Sequence, residues 1–244
     1  MTTRSQNTEP SGKRRPTTRV GIGKKSYHHG DLPAALKQAA VLLIARHGVE
    51  GFSLREAALA VGVSPSAAYR HFEDKAALLG VIAQDAFREM GERFQSAMAN
   101  VSGSGGRAAR ARFMAQGHAY VGFALEQPER FAVMFGPYGA GAQTEPPPQG
   151  AGATVSNSAC DHPAAIVDSP YASLSRVLDE LLAAGVIDSA RRPGAELLAW
   201  SAIHGLATLL VSQALKQTAL PLEAMVERVG QDCLRALMAP TKLV

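Results

Sequence analysis

Along most of this chain apolar residues recur at three- and four-residue spacing, a pattern that predicts helices. From Leu32 onward, Leu36, Ala39, Ala40, Leu43 and Ile44 share one helical face. Asp31 is placed to cap that helix, Pro33 falls in its first turn, and Gly48 ends it after His47. Ser53-Leu54-Arg55-Glu56 reads as a capping box, with the Ser53 hydroxyl on the third helical amide and Glu56 reaching back to the cap amide. The short helix it opens stops at Gly62. Ser64-Pro65 offers another cap with proline at the first helical position, for a helix through about His71. Asp74 caps a longer helix running towards Met98. After a Gly/Ser break at 102–106, helical spacing resumes through Phe113, Gly117, Tyr120, Val121 and Ala124, and Pro128 opens a short helix holding Phe131, Met134 and Phe135. Residues 136–168 lose the period, and Pro146-Pro147-Pro148 among many Gly, Ala and Ser residues marks a long flexible insert. Helices return at about 169–184, 193–216 and 221–238. The fold class expected is all-α.

Composition narrows the class. Hydrophobic residues make up 46% of 244, enough for a packed core, while no apolar run approaches the roughly 20 residues that span a bilayer. The N-terminus is polar and basic and lacks the apolar stretch of a secretory signal. Two cysteines, Cys160 and Cys233, are too few for a disulfide framework and suit a reducing cytoplasm. The net charge of +4 is uneven: residues 1–80 carry twelve Lys/Arg against six Asp/Glu, whereas residues 81–244 carry thirteen against fifteen. Arg4, Lys13, Arg14, Arg15, Arg19, Lys24 and Lys25 face only Glu9. Such an arm is either a disordered solubilising tail or a nucleic-acid contact, and composition leaves both open.

The stretch from Leu54 to Phe72 carries the functional signal. Two short helices are joined by Val61-Gly62-Val63-Ser64, with the small Ala58 four positions before the glycine. In a helix-turn-helix the second helix crosses the first at a steep angle, so the crossing residue must be small and the turn must tolerate positive φ. The second helix then presents Ser64, Pro65, Ser66, Ala67, Tyr69 and Arg70 near its exposed start, where it can enter a major groove.

Gly51-Phe52-Ser53-Leu54-Arg55-Glu56-Ala57-Ala58, Gly62-Val63-Ser64, Ala68-Tyr69-Arg70-His71-Phe72, Lys75 and Leu78-Leu79 together resemble the N-terminal domain of the TetR family of regulators. Tyr27-His28-His29-Gly30-Asp31-Leu32, Pro128-Glu129-Arg130-Phe131 and Trp200-Ser201-Ala202-Ile203-His204-Gly205 resemble a TetR subgroup with a C-terminal Trp-His-Gly signature. The resemblance implies that Ser64, Ser66, Ala67 and Arg70 face the major groove, that Tyr69, His71 and Lys75 clamp phosphates, and that Ser53 adds a phosphate contact. Arg70 reads a base, holds a phosphate or is a solvated surface residue. Phe72 and Leu78 match core positions. Because Ala67 and Ala68 can touch thymine methyls but cannot bond to base edges, part of the specificity is expected from DNA shape.

Adjacent His28-His29, beside Asp31, rarely point the same way and have no matching ligand pair nearby, so surface or phosphate contact is expected there. Cys160-Asp161-His162 carries ligand-type residues but falls in the flexible insert, so no metal is expected. No nucleophile beside a base, phosphate-binding glycine loop or carboxylate pair appears with usable spacing, so neither a cofactor nor catalysis is expected. Phe87, Met114, His118, Tyr120, Phe123, Met134, Trp200 and His204 are either ordinary bundle core or the lining of an apolar ligand site, with His118 and Tyr120 as its polar anchors. Gly205 is expected to permit a close helix approach.

The reading is a DNA-binding transcription regulator with a basic arm (1–26), a three-helix helix-turn-helix domain (27–80) and a helical effector-binding and dimerisation domain (81–244). It implies a cytoplasmic homodimeric repressor on a palindromic double-stranded operator, released by a small apolar effector, with no membrane association. The last two helices should form a four-helix dimer interface, because the stripes with Leu197, Leu209, Val226 and Leu234 exceed what one helix pair hides. A nucleoid-type DNA binder without a pocket, and a helical enzyme or carrier with a vestigial head, are the alternatives.

Overall fold

Side-chain caps set where the first helices begin. In the computed structural model, which describes residues 31–139, 169–215 and 218–238, Asp31 Oδ1 accepts from the Ala34 amide at 3.0 Å and opens α1 (Leu32–His47). Ser53 and Glu56 form the complete capping box of α2 (Leu54–Ala60). Ser64 caps α3 (Pro65–Ala68), and Asp74 Oδ1 accepts from the Ala77 amide at 2.7 Å to open α4 (Lys75–Ala99). Of these four helices, α3 is the one shorter than the sequence pattern suggests. Its hydrogen bonds run on through a turn to His71 and Phe72, because the chain must then become extended at Asp74 (φ −154°, ψ −174°) to start α4.

The turn between α2 and α3 closes as a Schellman motif. The Gly62 amide donates to the Leu59 carbonyl, the Val63 amide donates to the Ala58 carbonyl, and Gly62 lies at φ +78°. Ala58 is fully buried where the helices cross. Leu36, Ala40, Phe52, Leu54, Ala57, Ala58, Ala68 and Phe72 form one core with Leu78, Leu79, Ile82 and Ala83 of α4.

At 25 residues α4 is about 37 Å long, and it belongs to two cores. Its first half closes the head; its second half, through Ala86, Phe87, Met90 and Phe94, enters the body. There α5 (Gly105–Glu126) packs against α4, α6 (Pro128–Phe135), α7 (Pro170–Ala183), α8 (Ala195–Val211) and α9 (Leu222–Leu237). Among the described residues there is no strand, and no helix is long and apolar enough to cross a membrane. The helix expected over 193–216 ends at Val211, where Ser212 folds back on the Leu209 carbonyl and Gln213 turns left-handed at φ 60°.

One expectation about the last helices is corrected. Val226 and Leu234 do not extend an outward stripe; they are buried in the body's own core, at 1% and 4% exposure. Leu197 and Leu209 do stay exposed, at 74% and 45%. At Gly205 an added Cβ would meet nothing within 4 Å, so none of the described helices approaches it closely. The arm, His28-His29, most of the insert and Cys160-Asp161-His162 lie outside the described residues.

Candidate nucleic-acid interface and ligand cavity

The α3 segment projects from the head with its polar side chains outward. Ser64, Ser66, Tyr69, Arg70 and His71 are exposed, Pro65 and Ala67 are half-buried, and Ala68 is buried against the head core. Ser64 Oγ accepts from the Ala67 amide and lies 3.0 Å from Ser66 Oγ. One of these two hydroxyls donates to the other, which leaves the second proton for an external acceptor. Among the described residues the Arg70 side chain makes no hydrogen bond or ion pair.

Two of the expected phosphate contacts are already occupied. The Ser53 hydroxyl donates to Glu56 Oε2 at 2.9 Å while accepting from the Glu56 amide, so its one proton is spent inside the capping box. A phosphate oxygen can only accept, and Ser53 therefore has nothing to donate unless the box opens. Lys75 Nζ donates to the Glu50 carbonyl at 3.2 Å, lies 3.6 Å from the Glu50 carboxylate and sits over the Phe52 ring at 5.1 Å. It ties the turn between α1 and α2 to the start of α4 as well as offering charge.

In the body, a cavity of about 50 Å³ opens between α5, α7, α8 and α9. Met114, Tyr120 and Trp200 line it, together with Phe94, Phe113 and Gln116, which the sequence reading had not singled out. The remaining residues expected there lie elsewhere. Phe87 meets Phe135 edge-on at 5.7 Å, and Met134 is fully buried. Phe123 is buried beneath the guanidinium groups of Arg93 and Arg130, 5.2 and 5.9 Å from its ring. His118 turns outward, with Nε2 3.6 Å from Glu227. His204 stands behind the wall: its Nδ1 is 2.8 Å from the Tyr120 hydroxyl, with Phe135 at 4.5 Å and Phe131 at 5.4 Å between ring centres. Burial pushes the Tyr120 phenol up and His204 down, so a neutral imidazole faces a phenol that keeps its proton.

Helix α6 touches both regions. Phe131 and Phe135 pack on Tyr120 and His204, whereas Val133, on the opposite side of the same helix, is buried in the head core. Its start is fixed to α4 by an ion pair of Arg130 with Glu89, which Arg93 and Gln127 also contact. Burial raises the Glu89 pKa, but the hydrogen bonds from Arg130 and Gln127 and the Arg130 charge outweigh it and hold the carboxyl below its usual value.

A capped helix-turn-helix head joined by one long helix to a bundle with an apolar cavity defines a class, the DNA-binding transcription regulators. Residues 36–82 match the family model described as bacterial regulatory proteins of the tetR family, and residues 113–232 match the tetracyclin repressor-like C-terminal domain. The chain belongs to the TetR family, a family of transcription regulators. A protein of unknown function from Rhodococcus sp. RHA1 is 27% identical, with a TM-score of 0.66 over 88% of this chain and 100% of that one. A tetR-family regulatory protein from Rhodococcus RHA1 is 19% identical (TM-score 0.59, 85% and 97% covered). A fatty acid degradation regulator from Bacillus halodurans is 16% identical (TM-score 0.55, 85% and 97% covered). No curated protein gives a significant match.

Proposed function

We propose that this regulator is a homodimeric repressor that leaves a palindromic operator when a small apolar molecule occupies the cavity between α5, α7, α8 and α9. The observation that carries the reading is α6: one helix bears on the cavity's Tyr120–His204 pair with one face and on the head core with the other. A guest that displaces Tyr120 shifts α6, and α6 cannot shift without moving Val133 against α1 and α4. Rival readings lack this support, since a nucleoid-type binder needs no cavity. By linkage, such an effector lowers operator affinity by the factor by which operator lowers effector affinity, commonly 5–150-fold for about 1–3 kcal/mol of coupling.

Exposed leucines on α8 support the dimer. Leu197, Leu198 and Leu209 flank Ser201, Gly205 and Thr208, and the open Gly205 lets a partner helix approach closely. The outward side of α9 is polar, with Arg228, Gln231, Asp232 and Arg235. Arg70, with Ser64, Ser66 and Ala67, is the reader of base edges, and Tyr69 and His71 are the phosphate contacts. The Trp200–His204–Gly205 constellation fits the Trp-His-Gly subgroup, with Trp200 on the cavity, His204 behind Tyr120 and Gly205 facing outward. In gel shifts on permuted operators, Tyr69→Ala should weaken binding to all sequences alike. Arg70→Ala should cost about 1–3 kcal/mol and relax one operator position. Wild-type affinity in both variants would remove α3 as the reading helix.

A further inference from the structure

The cavity wall is apolar apart from the amide of Gln116, the tyrosine hydroxyl, the indole N–H of Trp200, which bears on that hydroxyl, and the Cys233 thiol. Tyr120 is engaged by His204, whereas Gln116 is only half engaged. Its side chain is buried at 4% exposure, and its Nε2 donates to Ser173 Oγ at 2.7 Å and lies 3.1 Å from Met98 Sδ. A thioether accepts but cannot donate, so the atom beside Met98 is the amide nitrogen, and the oxygen is the free end. Among the described residues Gln116 Oε1 is the buried side-chain polar atom left without a hydrogen-bond partner. Buried acceptors are ordinarily satisfied, and an orphan on a residue that lines a cavity points to a guest that supplies the donor.

The described lining holds no Asp, Glu, Lys or Arg. A carboxylate or ammonium entering it would lose its hydration with no counter-charge in return. Phe94, Phe113, Tyr120 and Trp200 offer ring faces and edges to a flat guest. The free volume of about 50 Å³ is smaller than the roughly 150 Å³ that admits benzene, so the wall has to give. Met114 is the adaptable part: its Sδ and Cε lie 2.5 and 2.6 Å from where a Gly230 Cβ would stand, and its unbranched thioether chain can re-seat.

We propose that the cavity selects an uncharged, monocyclic, mainly apolar molecule bearing one hydrogen-bond donor, and that Gln116 Oε1 receives that donor. This rests on the cavity being the effector site and names the chemistry that the site recognises.

Trp200 is the chain's one tryptophan and lines the cavity, so its fluorescence reports occupancy directly. The full-length protein is titrated with phenol, anisole and benzoate, which share a ring but present a donor, a capped oxygen and an anion. Phenol is expected to bind about tenfold more tightly than anisole, as one satisfied buried acceptor warrants, with benzoate weakest. In Gln116→Met the preference for phenol disappears while anisole binding persists. Equal binding of phenol and anisole by the wild type, tighter binding of benzoate, no binding of any probe at millimolar concentration, or a phenol preference that survives in Gln116→Met overturns the proposal. The wild-type ratio needs no variant and decides the matter if Gln116→Met fails to fold. Gel shifts with the same probes separate the two readings. Donor preference without any loss of operator affinity upholds the Gln116 assignment and refutes the effector role of the cavity.

Discussion

The head and the body are both helical and both bury alanines and rings, yet methionine is confined to the interior of the body. In the head, Ala40, Ala57, Ala58, Ala68 and Ala83 are fully buried, and with Leu36, Leu78 and Leu79 they leave little that can rearrange. Alanine has no rotamers, so helices that meet through it are held by backbone geometry. The body is filled by Met90, Phe94, Met114, Tyr120, Phe123, Phe131 and Met134, and it keeps a cavity. Long thioethers and rings pack well in more than one arrangement. The contrast suits a rigid presenter of α3 attached to an adaptable sensor, and it can be tested by making the same kind of change in both.

The largest difference is expected from added volume. Ala58→Leu puts three carbons where α2 and α3 cross and should cost about 1–3 kcal/mol in urea denaturation, with loss of DNA binding. Ala199→Val, on the cavity wall, should change stability by less than about 1 kcal/mol because free space receives the methyl groups. Equal costs would erase the contrast between the two cores.

Glycines sharpen it next. Gly62→Ala meets no atom within 4 Å, yet it should destabilise the head by about 1–2 kcal/mol, because φ +78° is strained for any residue with a Cβ. Gly205→Ala lies inside α8, where alanine favours the helix by about 1 kcal/mol. Thermal melting should therefore separate the two alanines in opposite directions. Sedimentation should show Gly205→Ala dimers dissociating at higher protein concentration, and an unchanged dimer constant would place the interface elsewhere.

Within the head, stability and DNA contact should come apart. Ser53→Ala removes the capping-box hydroxyl and should cost about 1 kcal/mol of stability, while folded protein keeps nearly full operator affinity because that proton already goes to Glu56. Arg70→Ala should leave denaturation midpoints unchanged and weaken operator binding. A reversed pattern would make Ser53 a DNA contact.

The smallest effect is a pH dependence confined to the body. Burial lowers the His204 pKa below its ordinary 6.5 in the folded state. The unfolded chain therefore binds more protons in this window, and stability rises with pH. That stability is fully present above about pH 6.5 and is lost as pH falls through the lower folded value. Glu89, Asp85 and Glu196, whose folded pKa values lie below those of ordinary carboxylates, lose theirs only at more acidic pH. Urea midpoints between pH 7 and 5 should fall less for His204→Gln than for the wild type, and parallel curves would remove His204 as the cause.

How legible each region was follows from how local its determinants are. In the head, Asp31, Ser53, Glu56, Ser64 and Asp74 each bond to an amide three residues away, or receive one back, and Gly62 acts through its own φ. Such signals are complete within a few residues of sequence. Lys75 is the exception: its hydrogen bond to Glu50 spans 25 positions, and the resemblance marks it only as a phosphate clamp.

In the body, composition identified the kind of residues but not their direction. Phe113, Gln116, Gly117 and Tyr120 share one side of α5 at intervals of three and four, and that register was the available clue to Gln116. His118 looked the better anchor by chemistry, but it falls between those positions and turns to Glu227. Phe87, Phe123 and Met134 have the chemistry of a pocket wall, yet packing of α6 on α4 and α5 put them in solid core. The sequence by itself determined the helices, their caps, the helix-turn-helix and the family, because each is written in short-range hydrogen bonds and backbone preference. Which apolar side chains border a space, which buried amide oxygen stays unpaired and which leucines remain outside were decided only by the tertiary structure, because they depend on where five helices meet, far apart along the chain.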